Sequence, residues 1–127
     1  MSNIFNKGII LDMLTQHIPR LIALIDKIVS PDQRMRKYSD RQIVKILILL
    51  QIFHISYRSA GIFLRNHEEY AELIDLNEIP SFQTLSRRAR MLDLHAINKE
   101  ITYLYAMKSM AAMDSFIDVL PLFNGQL

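Results

Sequence analysis

The sequence predicts an all-α fold: a small helical bundle with a helix-turn-helix-like pair, followed by a residual strand or irregular tail. Three observations carry this expectation. Apolar residues recur at helical spacing through most of the chain. Gly (3) and Pro (4) are scarce in 127 residues, whereas Leu, Ile, Met, Ala and Arg are common. Ser39, Ser56 and Ser81 each stand just before an apolar-periodic segment, where an N-cap belongs. Half of the residues are hydrophobic, enough for the packed core of one ordinary domain. Cysteine is absent, which excludes disulfides and thiolate zinc sites.

The first helix is expected over residues 9–28. Ile10, Leu14, His17, Leu21, Leu24 and Ile28 recur at alternating spacings of four and three, a heptad-like stripe. Pro19 lies inside it and should kink or divide the helix. Two readings fit the stripe, a helix packed on the rest of the domain and a dimerisation helix. Ser30-Pro31-Asp32 ends the segment, and residues 34–38 form a basic connector. Ser39 then caps a helix over residues 40–53, with Asp40 in its positive first turn. Ile43, Ile46, Leu47, Leu50 and Phe53 form its stripe, and Val44, Ile48 and Leu49 add apolar groups on its other faces. Such a helix belongs at the centre of a bundle.

Ser56 can cap a third helix over residues 57–66. Its small Ala60 and Gly61 permit close approach of a neighbour. Residues 68–76 form a short acidic helix or turn, and residues 77–80 break the chain. Ser81 caps the next helix, residues 82–92, and a last helix is expected over residues 98–110 with Ile101, Tyr105 and Lys108 on its face. At residues 110–114 the pattern changes to a short apolar run ending in Asp114, which reads as a strand ending in a carboxylate. The organisation expected is therefore an N-terminal helix (1–30), a helical domain (38–110) and a residual segment (111–127).

Net charge is only +2, but its distribution is uneven. From residue 34 to 65 the basic residues Arg34, Arg36, Lys37, Arg41, Lys45, Arg58 and Arg65 face Asp40 alone. Glu68, Glu69, Glu72, Asp75 and Glu78 follow, and then Arg87, Arg88 and Arg90. Such alternation can build one basic and one acidic face. No signal peptide is expected, because the start is polar and the apolar run after it is broken by Asp12 and His17. The most hydrophobic stretch, residues 43–55, contains Lys45 and is too short to span a bilayer. The expected setting is the cytoplasm, with no membrane partner.

The helix over residues 82–92 is the most informative element. On a helical wheel Phe82, Leu85, Ala89 and Leu92 form a narrow apolar face. Arg87 falls opposite, with Gln83 and Arg90 on either side of it and Thr84 and Arg88 flanking. Arg can donate two hydrogen bonds to guanine and Gln can pair with adenine, while remaining cations hold phosphates. Arg58 and Arg41 are further candidate DNA contacts. Paired with the helix at 57–66, this element makes a helix-turn-helix-like unit whose connector is longer than the usual tight turn. The bland reading is a solvated helix surface with three Arg residues. The four histidines, His17, His54, His67 and His95, lack the helical i, i+4 spacing of a metal site and read as core or surface residues. No glycine-rich phosphate loop is present.

Four segments, in order, resemble the N-terminal part of bacterial and archaeal insertion-sequence transposases. They are YSDRQIVKILILLQ from Tyr38, ISYRSA from Ile55, IPSFQTLSRR from Ile79 and AMDSF from Ala112. The resemblance implies binding of double-stranded DNA at the element's terminal inverted repeats. It also implies that Asp114 is the first acid of a DDE triad, at the start of an RNase H-like catalytic domain. In that family three carboxylates hold two divalent metals, usually Mg²⁺. Only Asp114 can be carried over, as a vestigial catalytic residue and an incomplete metal site. No cofactor is therefore expected for this chain itself. Asp118 belongs to the same segment and cannot replace acids from distant strands.

The tail after Phe116 lacks the basic residues usual in the family. A disrupted gene, a short regulator that occupies the ends and inhibits an intact transposase, and a nonfunctional relic all fit this ending. A helical protein-interaction module is the reading from a different class: the heptad-like first helix and the acidic segment 68–78 bind protein, and the arginines only solubilise. Besides double-stranded DNA, the partners expected on the transposase reading are a second copy, as a homodimer, or an intact transposase. Incubated with the element's own ends and Mg²⁺ or Mn²⁺, the chain alone is expected neither to cleave nor to join DNA. Strand-transfer products on a sequencing gel would overturn this.

Overall fold

A helix with apolar groups on every side must be covered on every side, and residues 40–53 meet that demand literally. The structure, a computed structural model, describes the backbone of residues 3–108 and the side chains of residues 16–104. Its helices are α1 (Asn3–Ile28), α2 (Asp40–Phe53), α3 (Ala60–Asn66), α4 (Glu68–Ile74), α5 (Phe82–Arg90) and α6 (Leu94–Lys108), with a 3₁₀ turn at Tyr57–Ser59 leading into α3. Helix α2 packs against α1, α4 and α5, and α1 also packs against α4 and α6. Ile43, Val44, Ile46, Leu47, Ile48, Leu49, Leu50 and Ile52 are all buried. One hydrophobic core runs from Ile18 in α1 through α2 to Ile101 in α6. Among the described residues there is no strand. Asp114 and the expected strand, with the rest of 111–127, lie outside the described residues.

The start of α2 is set by local chemistry. Ser39 is extended, and its hydroxyl accepts from the Gln42 amide at 3.1 Å. The Gln42 side chain accepts in return from the Ser39 amide at 3.0 Å, completing a capping box. The Gln42 side-chain amide also donates to the Asp75 carbonyl at 2.7 Å, which ties α2 to the end of α4. At the other end His54 turns left-handed, with φ 56°. The Ile55 amide reaches back to the Leu50 carbonyl at 2.8 Å and the His54 amide to Gln51, a Schellman closure. Asp75, with φ 65°, ends α4 in the same way through the Leu76 amide and the Ala71 carbonyl.

Several expectations are refined. Helix α1 is a single helix across Pro19, not divided there. Its buried face is wider than a heptad stripe: Ile18, Leu21, Ile22, Leu24 and Ile25 all lie inside. That face is spent on contacts within the chain. The third segment splits into the 3₁₀ turn and α3, with Ala60 fully buried. The atoms nearest to a Cβ added at Gly61, from 3.4 Å, belong to the Arg65 guanidinium of its own helix. Helix α6 begins four residues before the expected position, because Asp93 accepts from the Ala96 amide at 3.1 Å. Its inward residues are Leu94, Ile97, Ile101 and Leu104.

No single helix among the described residues is long and apolar enough to cross a membrane. Helix α2 with the segment after it meets that test jointly, but the pair is bent by 106° and the α2 side chains form the core.

A left-handed conformation costs a side chain with a Cβ about 1–2 kcal/mol, part of which glycine returns as unfolded-state entropy. His54→Gly is therefore expected to stabilise the fold, by about 0.5–1 kcal/mol. A shift of the urea midpoint to higher concentration checks it, and a shift downward would refute it.

Candidate nucleic-acid interface

Helix α5 has nine residues. So short a helix is marginal alone, and its caps and packing must hold it. Ser81 is extended, and its hydroxyl accepts from the Thr84 amide at 3.2 Å. Leu85 and Ala89 are buried against α2 and the 3₁₀ turn. With that face fixed, the wheel turns Gln83, Arg87 and Arg90 to solvent, and all three are exposed. Arg90 folds back to Ser86, one turn away, at 3.3 Å. Arg87 makes no hydrogen bond or ion pair among the described residues. Thr84 is half-buried, and its hydroxyl lies 3.1 Å from that of Ser81.

Arg58 joins this surface from a different element. It is exposed on the 3₁₀ turn, with its guanidinium 4.4 Å from the centroid of the Phe82 ring. Stacking on the first residue of α5 keeps a cation at the helix flank.

Two of the residues expected to contact DNA are committed elsewhere. Arg88 is only 6% exposed. Its guanidinium donates to the Tyr38 carbonyl at 2.8 Å and to Asp40 at 2.6 Å. Its wheel position lies on the edge of the buried face, where a cation is stable only with a carboxylate and a carbonyl to receive it. Arg41 is half-buried and donates to the Val29 and Asp26 carbonyls at 2.6 and 2.8 Å. It closes the C-terminal end of α1, where carbonyls lack helical partners. Both residues hold the scaffold, and the exposed set becomes Gln83, Arg87, Arg90 and Arg58.

Grooves line the Ser86 side of α5. One, of about 610 Å³, is bounded by Leu47, Leu50, Ile55, Arg58, Phe82 and Ser86. The other, of about 490 Å³, runs along Ala89, Arg90, Leu92 and Leu94. Tyr57 and Ser86 border both. Burial pushes the Tyr57 hydroxyl above its ordinary pKa, and that oxygen has no hydrogen-bond partner among the described residues. The exposed ridge of α5 therefore stands clear on this side.

The acidic segment is a separate surface, with Glu68, Glu69 and Glu72 exposed on α4 and Asp75 and Glu78 exposed beyond it. Among the described residues no group of three or more His, Cys, Asp or Glu is placed to hold a metal ion. His67 is stacked on Phe63 at 4.4 Å, with its Nδ1 2.8 Å from the Phe63 carbonyl. Burial, then the charge of Arg20, pushes His17 below the usual histidine range.

Comparison with family models, with curated proteins and with solved structures gives no match to this chain.

Neighbouring arginines should thus behave oppositely. Arg88→Ala leaves the Tyr38 carbonyl without its side-chain donor and Asp40 with only the longer contact to Arg36, at 3.7 Å. A fully buried pair loses about 3–5 kcal/mol when one member is removed. The Asp40 side chain keeps 28% of its exposure, which lowers the expected loss to about 2–3 kcal/mol. Arg87→Ala should change stability by less than about 0.5 kcal/mol. Equal effects in urea denaturation would contradict these assignments.

Proposed function

We propose that this chain binds double-stranded DNA through the exposed face of α5, as the DNA-binding part of an insertion-sequence transposase that recognises terminal inverted repeats. The observation that carries the reading is the shared exposure of Gln83, Arg87 and Arg90 on one short, firmly mounted helix. A helix about 10–12 Å across suits a major groove about 12 Å wide. Arg87 and Arg90 then offer donors to guanine edges, and Gln83 offers a bidentate partner for adenine. Arg58, held over Phe82, supplies a cation for a phosphate at the groove edge. The helix-turn-helix reading is supported by the contact of α5 with the 3₁₀ turn that opens the preceding helical segment. The transposase assignment is supported by the four ordered segments starting at Tyr38, Ile55, Ile79 and Ala112. A second copy or an intact transposase is the proposed protein partner, and the bacterial nucleoid the proposed setting.

Exposed Glu68, Glu69, Glu72 and Leu73 on α4 favour a second reading, a protein-contact surface. Salt separates the two. Phosphate binding releases counterions, so affinity falls steeply and linearly in logarithmic coordinates as salt rises.

Retention of the chain on a mixed-sequence duplex at low salt, lost at high salt, is the expected result. Arg87→Ala with Arg90→Ala should weaken that binding by at least about tenfold, as loss of about 1–3 kcal/mol per base-contacting arginine requires. Unchanged affinity would remove α5 as the contact face, and no retention at low salt would favour the protein-contact reading.

A further inference from the structure

The connector between α1 and α2 is held at both ends and bare in the middle. Asp32 accepts from the Asp40 amide at 2.9 Å. Arg36 reaches across to Asp32 at 3.0 Å and lies 3.7 Å from Asp40. Lys37 pairs with Glu78 at 3.0 Å, and that contact raises the lysine above its ordinary pKa. Between the anchored Asp32 and Arg36 stand Gln33, Arg34 and Met35, all exposed. Met35 is 101% exposed, as open as a methionine can be. Arg34 makes no hydrogen bond or ion pair among the described residues.

The C-terminal base of this tip, not the tip itself, is fastened to α5. Arg88 of α5 bonds the Tyr38 carbonyl and Asp40, and Lys37 bonds Glu78 in the segment that leads into α5. The connector therefore lies along the Arg88 flank, opposite the flank where Arg58 covers Phe82.

We propose that Gln33-Arg34-Met35 is a minor-groove arm, entering the groove next to the major groove that α5 occupies. The inference rests on the DNA-binding reading above. A minor groove about 6 Å wide excludes a helix but admits single side chains. Arg and Gln suit its acceptor-lined floor, and an apolar side chain such as Met35 can wedge between base steps. Asp32, Arg36 and Arg88 fix the ends of the arm, so less conformational freedom is lost than from an untethered loop when it enters the groove.

The guanine 2-amino group, which projects into the minor groove, distinguishes the possibilities. An alternating inosine·cytosine duplex lacks it, while keeping the major-groove atoms of guanine·cytosine. The intact chain is expected to bind the inosine duplex severalfold more tightly than the guanine duplex. Arg34→Ala and Met35→Ser should each reduce that preference. Arg87→Ala should weaken binding to both duplexes and leave the preference in place. Equal binding of the two duplexes, or a preference that survives both arm substitutions, overturns the arm and leaves the α5 reading standing. Arg34→Ala weakening both duplexes equally places Arg34 on a phosphate and also overturns it. Absence of binding to either duplex at low salt overturns both readings.

Discussion

The structure depends on one constraint, that α2 has no side it can leave in water. Its buried residues fall all around the helix, from Ile43 and Val44 near the start to Ile52 near the end. At ~1.5–3 kcal/mol for each large aliphatic side chain taken from water, covering this helix is the largest stabilising contribution the fold has available. Helices α1, α4 and α5 each supply part of the cover. What they turn toward α2 fixes what they turn outward. Leu85 and Ala89 face the core, so Gln83, Arg87 and Arg90 have to face solvent. The candidate contact surface is thus a geometric consequence of packing.

The rim of that core contains the charges that join its parts. Asp40 sits at the start of α2, where a carboxylate also complements the helix dipole, and receives Arg88 from α5. Lys45 and Arg41 approach Asp26 at 2.8 and 3.8 Å and bind the end of α1 to α2. Pairs whose carboxylate stays in water, as Asp26 does, add little stability each. The Arg88 contact differs because the cation is nearly dry, and a dry cation tolerates few alternative arrangements. Its effect is on register: it sets how α5 is seated against α2 and where the connector runs.

Much of this was legible in the sequence because it is local. The caps at Ser39, Ser56 and Ser81 follow from a hydroxyl and the amides within three residues of it. The centrality of α2 follows from composition at every wheel position. Other features depend on distant partners. Arg87 and Arg88 are chemically identical neighbours; the wheel puts Arg88 at the edge of the buried face, but the Tyr38 carbonyl and Asp40 that hold it there are far away in sequence. Arg41 is likewise explained by α1 carbonyls that sequence does not place near it. The αL turn at His54 had no glycine to announce it. Asp93 was legible in principle, since an aspartate three residues before an amide in a helical pattern is a cap signal.

The shortness of α5 gives these distant partners their importance. A recognition surface has to hold its side chains in one geometry before the ligand arrives, or ordering them subtracts from affinity. Nine residues supply too few helical hydrogen bonds to do this unaided. The required rigidity comes from four outside supports of different chemistry. Ser81 closes the first turn, Leu85 and Ala89 anchor the inner face, Arg88 fixes one flank and Arg58 rests on Phe82 at the other. Ser81, Leu85, Ala89 and Arg88 take no part in the exposed face, while Arg58 serves both as a support and as one of its cations. Substitution at Gln83, Arg87 or Arg90 therefore leaves the mount that holds α5 unchanged.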